Sequence, residues 1–71
     1  MTIAAEIRAE AARQSIERGE LARRAGMSRS SLYLKLAEKR ALTFTDVQRL
    51  ADALGVPMWR LVRAADAGRA A

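Results

Sequence analysis

Cysteine and histidine are both missing from this 71-residue chain. Without cysteine there is no disulfide and no thiolate metal site. Without histidine the commonest metal ligand and the commonest general base are gone. No paired carboxylates converge on an evident pocket either, so the expectation is no enzyme, no metal, no cofactor and no small-molecule ligand. The apolar runs fall far short of the ~20 residues that span a bilayer. The opening MTIAAEIRAE is too short and too charged for a signal peptide. A cytoplasmic protein with no membrane partner is expected.

Proline occurs once and glycine four times, so little interrupts a helix, and the dominant Ala, Leu, Arg and Glu favour one. No strand-like alternation or internal repeat is visible. The apolar content of 51% overstates the core, because 16 of those residues are Ala. A domain of this length hides roughly 60% of its unfolded surface, so core and caps should match closely and self-association would add stability. The pattern predicts an all-α fold of five compact helices, one domain over residues 1–67, with a frayed tail at 68–71.

The first helix is expected from about Thr2 to Arg13, with Ile3, Ile7 and Ala11 on one stripe. A short second helix holds Leu21, Ala22 and Ala25 and ends at Gly26, whose missing Cβ suits a left-handed turn. Ser28 looks like the N-cap of a third helix that ends near Glu38. Thr43 and Asp46, three apart, form a variant capping box with Asp in place of Glu or Gln. They open a fourth helix carrying Phe44, Val47, Leu50, Ala51 and Leu54, closed by Gly55. Pro57 suits a first helical position. The fifth helix then carries Met58, Leu61, Val62 and Ala65, with Met58, Leu61 and Val62 as its buried stripe. Leu21, Leu32, Leu36, Phe44, Val47, Leu50 and Leu54 are the expected core.

The net charge of +5 is concentrated. Residues 18–40 hold seven bases and two acids, while the rest of the chain balances to zero. Such a block suits a polyanionic partner, although a solvated basic face fits the charge equally. Within it lies GMSRSSLYLKL, residues 26–36, where four large side chains crowd into five positions. At about 100° per residue, setting Leu32 at 0° puts Leu36 near 40°. Ser30, Tyr33, Leu34 and Ala37 then fall between roughly 100° and 200°. If Leu32 and Leu36 are core, Tyr33 and Leu34 face outward, beside Arg29 in the first turn.

Residues 18–37, RGELARRAGMSRSSLYLKLA, resemble the helix-turn-helix of the Cro and lambda-repressor (XRE-like) family. Ala22, Gly26 and Leu32 match the small, turn-forming and locking positions of that unit. Leu21, Ala25 and Met27 match its apolar positions, and RLADALGV (49–56) is similar to the end of its fourth helix. The likeness covers about residues 3–66 and looks most like phage and actinobacterial repressor-type members. Departures are Glu17 and Arg18 where Ser or Thr then Gln is usual, Gly19 inside the second helix, and Ser15 and Glu38 where Gly is often found. Lys35 also stands at a usually apolar position.

The resemblance implies a lambda-repressor-like fold and a sequence-specific regulator of Cro type, its third helix entering the major groove of a double-stranded operator. Base contacts are then expected from Arg29, Ser30, Tyr33 and Leu34. Arg29 suits the O6 and N7 of guanine, Tyr33 a phosphate or a base edge, and Leu34 a thymine methyl or a protein-binding patch. Phosphate contacts are expected from Arg18, Ser28, Lys35, Lys39, Arg40 and Thr43. Arg23 and Arg24 are read as solvated charge. Family members bind as symmetric homodimers around their last helices, which makes Trp59, with Arg60 and Arg63, the expected dimer contact. Trp59 capping the domain's own core is the alternative. A small protein-interaction module on the same fold, antitoxin-like or host-factor-binding, is the competing function.

Overall fold

The computed structural model describes residues 2–70, with side-chain surroundings as far as Asp66. Five helices follow one another: α1 (Ile3–Arg13), α2 (Arg18–Ala25), α3 (Arg29–Leu36), α4 (Phe44–Leu54) and α5 (Met58–Ala70). No strand occurs among the described residues. α1 lies against α3, α4 and α5, and α2 lies against α3 and α4. Helix α5 extends to Ala70; Ala71 lies outside the described residues.

Local chemistry sets where these helices begin. The Thr2 hydroxyl accepts from the Ala5 N–H at 3.1 Å, and the Ser28 hydroxyl from the Ser31 N–H at 3.1 Å. Thr43 and Asp46 complete the capping box in both directions, with bonds of 3.1 and 3.0 Å. Each satisfies a donor that the helix itself leaves orphaned. Glu17 makes no side-chain cap bond at the start of α2, which leaves the first N–H groups of that helix open.

The first four helices all end in the same way. Ile16, Met27, Lys39 and Val56 each donate their N–H to the carbonyl five residues back, at 2.9–3.0 Å. The residue before each is left-handed: Ser15 (φ 56°), Gly26 (φ 70°), Glu38 (φ 62°) and Gly55 (φ 71°). Glycine takes this geometry freely, whereas Ser15 and Glu38 hold it against their own Cβ, at a cost on the order of 1 kcal/mol each.

The core is built around Ile7, Leu21, Leu32 and Leu50, all fully enclosed, with Leu36, Leu54, Leu61 and five alanines around them. Two expectations fail here. Phe44 is 74% exposed instead of buried. It is the first residue of α4, one turn before Val47 opens the buried stripe, and the helix has already run past the core at that point. Val62 is 44% exposed, because α5 buries Leu61 and Ala65 and turns Val62 to the adjoining side. One polar tie joins α1 to the end of α4. Glu10 accepts from Gln14 and Arg13, bonds that hold its carboxyl below the ordinary range, and Gln14 also donates to the Leu54 carbonyl at 2.8 Å.

Candidate nucleic-acid interface

Helix α3 buries Leu32 and Leu36, at 0% and 6% exposure, against the core. Its other side carries Arg29, Ser30 and Tyr33 in solvent, with Leu34 half-buried beside them. Arg18, at the start of α2, lies over the Tyr33 ring with its guanidinium carbon 4.9 Å from the centroid, a contact in which the ring's quadrupole attracts the cation. Arg18, Arg29, Ser30, Tyr33 and Leu34 together line a shallow groove of about 380 Å³. Four of these are the expected base-contacting residues, and the structure brings all four together with Arg18.

Six of the seven cations of the basic block divide into two groups. Arg23 and Arg24 both bind Glu20, Arg24 Nε at 2.8 Å and Arg23 Nε at 3.0 Å. Hydrogen bonds from Arg23, then Arg24, hold the Glu20 carboxyl down to about 2, so this cluster is internally compensated. Arg18, Arg29, Lys39 and Arg40 are exposed, and none of them enters an ion pair among the described residues. The positive field therefore comes from both ends of α3 and the start of α2.

Lys35 departs from its expected role. Its Nζ lies 2.7 Å from Asp46 Oδ2, and the two side chains are only 15% and 10% exposed. A charge held there is spent on the junction between α3 and α4 and not on a phosphate. The same Asp46 oxygen accepts the Thr43 N–H. Burial works to raise the Asp46 pKa, but the Lys35 bond and the Thr43 contacts outweigh it and hold the carboxyl below its ordinary value. Ser28 and Thr43 each use the hydroxyl as a cap acceptor and remain exposed.

Two helices of eight residues, joined by a tight turn at a left-handed Gly26 with the second helix half exposed, define a specific supersecondary unit. A family model described as helix-turn-helix (HTH_3) matches residues 7–58. The chain belongs to that family. It is a DNA-binding regulator of the XRE type, as the Cro and lambda-repressor resemblance implied. No curated protein and no solved structure matches the chain.

In this helix-turn-helix protein the unit is α2, the turn 26–28 and α3. α1 and α4 buttress it, and α5 packs on α1 and α4 away from the unit. Sequence reasoning misread three residues. Asp46 was seen only as a cap, although a lysine at a usually apolar position signals the need for a buried partner. Phe44 was assigned to the core. Gly19 was seen only as a weak point in α2, whereas its bare Cα lies directly beneath the Arg29 side chain. Trp59, Arg60 and Arg63 are all exposed, Trp59 at 61%, so the tryptophan does not close the domain's own core.

Proposed function

We propose that this chain is a sequence-specific repressor of Cro type that occupies a double-stranded operator, with α3 in the major groove. The observation that carries it is the orientation of α3: two leucines inward, and Arg29, Ser30 and Tyr33 outward between uncompensated cations. A helix presenting its N-terminal residues in this way reads base edges in the major groove. Arg29 takes a guanine, Ser30 and Tyr33 adjoining edges, and Leu34 a thymine methyl. Arg18, Ser28, Lys39, Arg40 and Thr43 hold the phosphates on either side. The protein meets its DNA in the cytoplasm, at the nucleoid.

Selection from a random duplex pool supplies the probe. Affinity for the winning duplex should fall with rising salt, by a slope of about 0.9 per phosphate neutralised. Arg29→Ala should cost about 1–3 kcal/mol and relax one base position, while Lys39→Ala should weaken all duplexes alike and lower the slope by about 1. Equal losses on selected and scrambled duplex for Arg29→Ala would remove its reader role. Binding that ignores salt would favour a protein-interaction module instead.

The operator-bound form is a homodimer in this reading. Phe44, Trp59 and Val62 stand exposed around one apolar groove of about 1000 Å³, which also takes in Ile3, Met58 and Arg63. Aromatic side chains exposed in such a cluster mark an interface, with Arg63 among its polar lining. Wild-type protein should sediment as a dimer at high concentration. Trp59→Glu should sediment as a folded monomer and bind a half-site only weakly. A wild-type monomer at high concentration, on and off DNA, would end the dimer.

A further inference from the structure

Gly19 is not required by its backbone. Gly26 and Gly55 sit at positive φ with open space where a Cβ would stand, so their role is conformational. Gly19 is ordinary helix in the first turn of α2, where glycine is less favourable than alanine. The space above it is not empty. A Cβ there would lie 3.2 Å from Arg29 Nε, 3.3 Å from its Cζ and 3.6 Å from Nη2. The guanidinium group of the first residue of α3 thus rests on bare backbone of the first turn of α2.

The neighbouring pair is arranged the opposite way. Arg18 reaches from α2 and lies over Tyr33 of α3, while Arg29 reaches from α3 and lies over Gly19 of α2. Two cations with no carboxylate partner among the described residues are thereby laid along one groove. A free arginine side chain carries a large rotamer entropy, and a cation already settled on a surface forfeits less of it on binding. The seat is this close to α2 because residue 19 lacks a Cβ. A methyl group there would press Nε and Cζ a few tenths of an ångström away from the places they hold over the bare backbone.

We propose that Gly19 is a positioning residue for base recognition: it seats the Arg29 guanidinium before DNA arrives and so sets which base Arg29 reads. This rests on the DNA-reading role of α3 and adds to it a residue that touches no base. Residue 19 governs specificity through Arg29, and it does so at the expense of helix propensity in α2.

In the free protein, nuclear Overhauser effects should connect the Gly19 α-protons to the Arg29 side chain. Their absence overturns the seat before any DNA is added. Binding is then compared on the duplex the wild type selects from a random pool and on a scrambled duplex. Gly19→Ala should melt at the same temperature as wild type or higher, yet its preference for the selected duplex should fall about threefold to tenfold. In an Arg29→Ala background the same change should leave the remaining preference unmoved. Undiminished preference in Gly19→Ala, or an equal loss in both backgrounds, overturns the proposal. A wild type that enriches no sequence removes base reading and this proposal with it. A wild type that enriches one, which Gly19→Ala then reads equally well, removes this proposal alone.

Discussion

Lys35→Met should destabilise the fold by about 2–3 kcal/mol, although methionine restores an apolar residue at a position where helix-turn-helix units usually have one. The cost arises at the partner. Asp46 is left in a pocket only 10% open to solvent, without the cation 2.7 Å away that compensates its charge. Breaking a fully enclosed pair costs about 3–5 kcal/mol, and the residual exposure of both groups places this one lower. The double change Lys35→Met with Asp46→Asn should recover most of the loss, because the amide oxygen can still accept the Thr43 N–H. Urea denaturation of wild type and the two variants at neutral pH measures all of this. A single change that costs nothing would show that water already screens the pair.

The same pair makes a prediction in acid. The folded-state pKa of Asp46 lies below its ordinary value of 3.8. Its ionisation therefore contributes stability that is fully present above 3.8 and is lost as the pH falls through the folded-state value. Glu10 and Glu20 are shifted in the same direction, so wild type alone cannot isolate Asp46. The difference between wild type and Lys35→Met can: it should shrink as the pH drops below 3.8, since a protonated Asp46 no longer needs the lysine. A difference that stays constant down to about pH 2 would assign the effect to packing and not to charge.

Leu32→Ala should cost about 2–5 kcal/mol, through lost transfer energy and a cavity that its neighbours fill only in part. Leu32 is fully enclosed and holds the reading helix to the core. In a domain of this size each kcal/mol lowers the melting temperature by about 4–8 °C, so the variant should be partly unfolded near body temperature and bind DNA poorly. Phe44→Ser supplies the contrast. With the ring 74% exposed, it should change monomer stability by less than about 0.5 kcal/mol. Thermal melts of the two variants side by side test the burial pattern, and a large loss for Phe44→Ser would contradict it.

How far the sequence reached depended on how local each feature is. The caps at Ser28 and Thr43, the left-handed turns at Gly26 and Gly55, and the inward pair Leu32 and Leu36 were all legible. Each follows from residues within one or two turns of one another, where 3.6-residue periodicity and orphaned N–H groups leave few choices. The end of α3 was placed at Glu38 and not Leu36 because a left-handed Glu38 carries no residue-level sign. Phe44 and Val62 were misjudged because both fit an apolar stripe on their own helix. Only the position of the facing helices shows that the stripe is narrower than the pattern.

By itself the sequence determined that this chain is helical, where four of its five helices start or stop, and which side of α3 is free to meet a partner. These are properties of the chain over short distances. The tertiary structure alone decided that Lys35 is taken by Asp46, that Arg29 rests on Gly19, and that Phe44 joins Trp59 at the surface. Each of these joins residues on different helices, ten or more positions apart, and such contacts depend on how whole helices cross and not on any spacing within one of them.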